Sequence, residues 1–287
     1  MKLRHLLFTA ISIASLGSCQ KGIDGIGGTT TVAAKTMLNV SYGTDPLQDM
    51  DVYLPAGRTD STTKVIIMIH GGGWTSMDKS DFTEYVDSIK KRLPGYAIFN
   101  INYRLASGTA NFFPTQENDV KAAFDFIISK TGEYQVSQKI VLLGASAGAH
   151  LALLQGYKYP SPVKAKAVVD LFGPTDITDI YNNPAPLAPA QFVAIIVGAT
   201  PTTNPVIYQQ SSPINFVTAQ SPPTIIFQGG ADQVVNPSQS TSLNAKLQTM
   251  GVLHEYYIYP TEAHGWSGAN LTDTFNKIQA FILANVI

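Results

Sequence analysis

The stretch "LLGASAGAHLALL" (residues 142–154) begins as a buried strand and continues as a buried helix, with Ser146 flanked by small residues at the joint. Gly144-Ala145-Ser146-Ala147-Gly148 within it is a G-x-S-x-G sequence. In such an elbow the serine occupies a strained turn, and its neighbours must be small to clear both the strand and the helix. The competing reading is a small residue chosen only for close helix–strand packing. The pattern alone is weak, but its place between strand and helix makes Ser146 a candidate nucleophile.

A serine that attacks a carbonyl also needs donors for the oxyanion that forms, and backbone N–H groups serve where glycines let the chain approach closely. His70-Gly71-Gly72-Gly73-Trp74 follows the first long apolar run and supplies that loop, with Gly72, Gly73 and Ala147 as the expected amide donors. The remaining roles are sought in the chain order Ser, acid, His. Asp232 lies just past "PTIIFQGG" (223–230), and His264 follows the next strand in "YPTEAHGW". Of the other histidines, His5 is in the N-terminal apolar segment, His254 opens a strand, His70 belongs to the glycine loop and His150 suits local packing. The acid has rivals in Asp170, Asp176 and Glu262. Trp74 and Trp266, the only tryptophans, each adjoin one of these motifs and are candidates either for a substrate-binding wall or for ordinary core packing.

Around these motifs, "KVIIMIH" (64–70), "YAIFNINY" (96–103), "KIVLLGAS" (139–146), "AKAVVDLFG" (165–173) and "PTIIFQGG" are short, continuous and rich in β-branched residues. Such runs suit strands buried on both faces of a parallel sheet. "DVKAAFDFIISK" (119–130) places Val120, Ala123, Phe124, Ile127 and Ile128 on one helical stripe, and "NPSQSTSLNAKLQTMG" (236–251) reads as a helix closed by a glycine. "MDVYLP" (50–55) alternates as a half-exposed antiparallel edge strand should. The class is α/β, with a mostly parallel central sheet and helices on both faces. Residues 176–222, rich in Pro and Asn around the apolar "AQFVAIIVG", read as a long irregular insertion serving as a cap or binding loop.

Taken together, "HGGGW", "NYRL", "NDVKAAFDFI", "GASAGAHLALL", "PTIIFQGGAD" and "EAHGW" resemble the α/β-hydrolase fold, specifically its esterase/lipase branch with an HGGG oxyanion loop. Within that branch the chain is most similar to bacterial carbohydrate-esterase and feruloyl-esterase-like (BD-FAE-like) hydrolases, over roughly residues 42–285. It departs from them at Gln228, where a histidine commonly precedes the glycine, a position outside the catalytic set. The resemblance implies hydrolysis of short-acyl or carbohydrate-linked (acetyl or feruloyl) esters, with Ser146 as nucleophile, His264 as general base, Asp232 as its orienting acid, and no cofactor or metal. The insertion offers one apolar stretch among prolines, asparagines and polar residues, which favours a small or open acyl site. A peptidase or amidase on the same fold, and a catalytically silent binding protein, are the alternatives.

Composition narrows the partners. Nineteen Lys and Arg nearly cancel twenty Asp and Glu in 287 residues, so there is no basic face for nucleic acid, and the expected partner is a small-molecule or glycan-linked ester. At the N-terminus, Lys2 and Arg4 precede an apolar run, Leu6 to Leu16, too short to span a bilayer. Leu16-Gly17-Ser18-Cys19 resembles a bacterial lipobox, which implies a signal peptide at 1–18 and a lipidated Cys19. Residues 19–36, rich in Gly and Thr, read as a flexible tether to a catalytic domain at 37–287. Export with membrane attachment through that lipid alone follows as the expected location, on the periplasmic or cell-surface side.

Overall fold

The computed structural model describes residues 31–159 and 163–287; the signal segment, Cys19 and the tether up to residue 30 lie outside them. Eight strands, β1 (Lys35–Ser41), β2 (Asp49–Leu54), β3 (Val65–Ile69), β4 (Ala97–Ile101), β5 (Ile140–Ala145), β6 (Ala167–Leu171), β7 (Thr224–Gly229) and β8 (His254–Tyr259), form one sheet. Their order is β1-β2-β4-β3-β5-β6-β7-β8. The first two pairings, β1 with β2 and β2 with β4, are antiparallel, and all the others are parallel.

Every residue of β3 through β7 is buried, in keeping with their mostly apolar runs. Side chains alternate across the sheet, so each strand feeds two cores. Ile67, Ile69 and Leu142 face one core, while Ile66, Met68, Val141 and Leu143 face the other.

The helices are α1 (Thr83–Arg92), α2 (Thr115–Ser129), α3 (Thr131–Tyr134), α4 (Ala147–Lys158), α5 (Ile177–Asn182), α6 (Ala190–Val197), α7 (Pro205–Gln210), α8 (Ser238–Thr249) and α9 (Gly268–Asn285). The first core is closed by α2, α4 and α8 through Phe124, Leu151, Leu154 and Leu243. The second is closed by α1 and α9 through Val86, Ile89, Phe275 and Phe281. The stripe expected on α2 buries Val120, Ala123, Phe124 and Ile127, with Ile128 at its margin. Gly251, at φ +67°, terminates α8 as a left-handed residue.

Three expectations need correction. The β2 strand alternates as anticipated, burying Met50, Val52 and Leu54, but it is not the edge. That place belongs to β1, which begins at Lys35 inside the stretch read as tether and carries a bulge between Met37 and Val40, with Asn39 at φ +54°. The third concerns the insertion, which holds three short helices rather than irregular chain. The Asp176 carboxylate caps α5 by accepting from the Thr178 and Asp179 amides, Asn204 caps α7 with Pro205 behind it, and Gly198 ends α6 at φ +74°.

Parallel pairing brings the carboxyl ends of β3, β5, β6, β7 and β8 to one edge of the sheet, with Ile69 opposite Gly144, Ala145 opposite Leu171 and Gly229 opposite Tyr259. The glycine loop, Ser146, Asp232 and His264 all follow these ends, at the edge where open α/β sheets bind ligands.

Candidate active site

Ser146 stands between β5 and α4 at φ 53°, ψ −122°, a conformation that a side-chain-bearing residue adopts only where its surroundings hold it. Its N–H donates to the Leu171 carbonyl at 2.8 Å, tying the elbow to β6, and its carbonyl accepts from the His150 amide at 3.1 Å. The motif glycines let α4 lie against the sheet. A Cβ at Gly148 would stand 2.1 Å from the Ile69 carbonyl oxygen, and one at Gly144 2.2 Å from that of Gly148.

From this turn a hydrogen-bond chain runs inward. Ser146 Oγ lies 2.8 Å from His264 Nε2, and His264 Nδ1 lies 2.8 Å from Asp232 Oδ2. A carboxylate only accepts, so Nδ1 carries the proton and Nε2 is left free to accept from the hydroxyl. Asp232 is buried, and its other oxygen, Oδ1, accepts from the Val234 and Val235 amides at 2.8 and 2.9 Å. The Phe172 ring packs edge-on to the imidazole, 4.8 Å between centroids.

The rival acids are engaged elsewhere. Asp176 caps α5, Glu262 accepts from Asn270 at 2.6 Å, and Asp170 is wholly buried, accepting from the Gly173 amide. Burial pushes the Asp170 carboxyl up to about 7.

The glycine loop presents its amides. The Gly72 carbonyl accepts from the Thr75 and Ser76 amides, both at 3.1 Å, and from Ser76 Oγ at 2.9 Å. The N–H groups of Gly72 and Gly73 donate to nothing among the described residues. The Ala147 amide opens the first turn of α4, where no intrahelical acceptor exists and the helix dipole is positive. Tyr103, fully buried, braces the loop from behind: its hydroxyl donates to the Gly71 carbonyl at 2.8 Å and its ring stacks on His70 at 4.3 Å. Arg104 turns away and forms a forked ion pair with Asp119.

Neither tryptophan reaches the cavity beside Ser146. Trp74 is buried, and its indole N–H donates to His150 Nδ1 at 3.2 Å. That contact fixes the His150 tautomer, whose Nε2–H donates to the Ser211 carbonyl at 2.7 Å; burial lowers its pKa to about 4. Trp266 packs against Phe172 and Tyr259 and donates to Thr274 Oγ1 at 3.0 Å. The substrate-wall expectation for both is therefore replaced by core packing, because their polar groups are already paired inside.

The cavity of about 700 Å³ next to Ser146 and His264 is instead walled by Phe82, Tyr85, Phe172, Leu187, Phe192 and Val234. None of these belongs to a motif, and the volume exceeds what a small acyl site needs. Gln228, outside the catalytic set, nonetheless touches it: its Nε2–H donates to Asp232 Oδ2 at 3.0 Å.

Residues 50–247 match the BD-FAE family model. The chain belongs to the BD-FAE family. The matched segment contains the glycine loop, Ser146 and Asp232; His264 lies beyond it. The esterase LipC of Mycobacterium tuberculosis is 26% identical over 260 residues, which cover 85% of this BD-FAE chain and 64% of LipC. Dipeptidyl aminopeptidase BIII of Pseudoxanthomonas mexicana is 24% identical over 242 residues, covering 80% of this chain and 34% of the peptidase. The chain thus spans less than two thirds of these curated relatives. Among solved structures, a truncated carbohydrate esterase from gut microbiota has a TM-score of 0.77 at 26% identity, with 91% of this chain and 99% of that one covered.

Proposed function

We propose that the protein is a serine hydrolase that cleaves carboxylic esters, and that its substrates are acetyl or feruloyl esters carried on carbohydrate. The observation that carries the reading is the unbroken Ser146–His264–Asp232 hydrogen-bond chain on the wall of an apolar cavity, beside two unpaired glycine amides. Ser146 Oγ attacks the ester carbonyl while His264 Nε2 takes its proton. Asp232 holds the Nδ1–H tautomer and stabilises the imidazolium. The Gly72, Gly73 and Ala147 amides receive the oxyanion. Collapse expels the alcohol, which takes the proton from His264, and water then repeats the sequence on the acyl-enzyme to release the acid.

The likeness to a carbohydrate esterase supports the alcohol side, and the aromatic walls support an acyl group up to the size of feruloyl. The kcat/KM for p-nitrophenyl acetate and methyl ferulate should exceed that for dodecanoate by about tenfold or more, each misfit methylene costing roughly 1–3 kcal/mol. Preference for dodecanoate makes a lipase the better description, and faster turnover of an aminoacyl p-nitroanilide than of any ester favours the peptidase relatives. We further propose, from the lipobox-like Leu16-Gly17-Ser18-Cys19, that the enzyme lies outside the cytoplasm on a Cys19-linked lipid; Cys19→Ala should move it from the detergent phase to the aqueous phase, and aqueous wild type refutes the anchor.

A further inference from the structure

Gln228 is fully buried at the carboxyl end of β7, four residues before Asp232, and each of its polar atoms has a partner. Its Nε2 donates to Asp232 Oδ2 at 3.0 Å, and also lies 3.2 Å from the Gly229 carbonyl and 3.4 Å from that of Val235. Its Oε1 accepts from Ser240 Oγ at 2.8 Å. Because the carboxylate and the two carbonyls can only accept, they fix the NH2 end of the carboxamide toward the acid, and Ser240, a buried residue on α8, holds the other end. Asp232 Oδ2 is also the oxygen that receives the His264 Nδ1–H, so two donors from different elements converge on one atom.

We propose that Gln228 is a positioning residue for the Asp232–His264 pair, locking the carboxylate through the oxygen that the imidazole uses. The proposal rests on the catalytic reading of that pair. With Oδ1 held by the Val234 and Val235 amides and Oδ2 by Gln228, the carboxylate cannot rotate away from the imidazole. The donor end of the carboxamide also draws negative charge from Oδ2, the same atom that accepts the imidazole N–H. His264 faces Asp232, Ser146 and the Phe172 ring, and no second charged side chain pairs with it among the described residues.

Gln228→Met keeps the length of the side chain and removes both hydrogen-bonding groups. In the full-length protein, the downfield proton NMR signal of the His264 Nδ1–H, which reports its hydrogen bond to Asp232 Oδ2, should move away from its wild-type position. On a short-acyl p-nitrophenyl ester, kcat should fall about tenfold or more with KM little changed, because the loss is confined to the transition state. Gln228→His, which restores a donor, should recover most of that kcat. Ser240→Ala, which frees the carbonyl end of the carboxamide without emptying the site, should move that signal in the same direction by less, and it serves if Gln228→Met does not fold. A folded Gln228→Met or Ser240→Ala protein whose His264 Nδ1–H signal stays at its wild-type position overturns the proposal. So does a kcat loss that comes only with a lowered Tm. The Nδ1–H signal reads the contact even if wild type cleaves no ester, which separates failure here from failure of the esterase reading.

Discussion

Ser146 is held in its left-handed turn by the Leu171 carbonyl on one side and by the glycines at 144 and 148 on the other, so strain and nucleophile occupy one residue. Much of this was readable in the chain, because a G-x-S-x-G elbow has few ways to pack and the order Ser, acid, His restricts the search. The acid was less so: Asp170, Asp176, Asp232 and Glu262 all sit near strand ends, and only distances separate them. At 2.8 Å from His264 Nδ1, Asp232 is the one positioned to orient the base. Asp232→Asn should therefore cut kcat by about 10³-fold or more, since the imidazole loses the acceptor that fixes its tautomer. Asp176→Asn should leave kcat within about twofold, because asparagine caps α5 equally well. Steady-state rates of the two variants check this, and the reverse ranking moves the acid to the loop after β6.

Strands β3 to β7 were legible as elements because burial on both faces leaves their runs mostly apolar, with Asn100, Asp170, Thr224 and Gln228 as the polar exceptions. β1 was not, since "KTMLNVS" has weak alternation, an internal bulge and a neighbouring glycine-rich run that reads as linker. The helices of the insertion escaped for another reason. They are six to eight residues long, too short for periodicity to declare, and only their caps at Asp176, Asn204 and Gly198 mark them.

On β6, Asp170 breaks the apolar run and keeps one oxygen, Oδ2, without a partner. Its carboxyl titrates near 7 when folded because burial penalises the charge, against an ordinary value of 3.8 when unfolded. The folded state thus holds a proton that the unfolded chain has lost. Stability from this group is complete below about pH 4 and declines as pH rises to about 7, by roughly 1.4 kcal/mol per unit. Asp170→Asn should remove that decline, melting close to wild type at about pH 4 and above it at about pH 8. Parallel Tm–pH curves for the two proteins contradict the assignment.

Across the whole molecule, the cavity wall is drawn from segments far apart in sequence: Phe82 and Tyr85 at the start of α1, Phe172 after β6, Leu187 and Phe192 around the start of α6, and Val234 beside the acid. No local pattern announces such a wall, and the two tryptophans that adjoin the motifs lie behind it. What the motifs do locate is the reacting centre, and the sheet carries its parts to one edge. The most direct measurement of the central claim is labelling of the folded protein with a fluorophosphonate probe, followed by intact mass and peptide mapping. One adduct per chain on Ser146 is expected, absent in Ser146→Ala and slowed about 10³-fold or more in His264→Ala. A folded wild-type protein that takes no label, or takes it elsewhere with Ser146 untouched, contradicts the account.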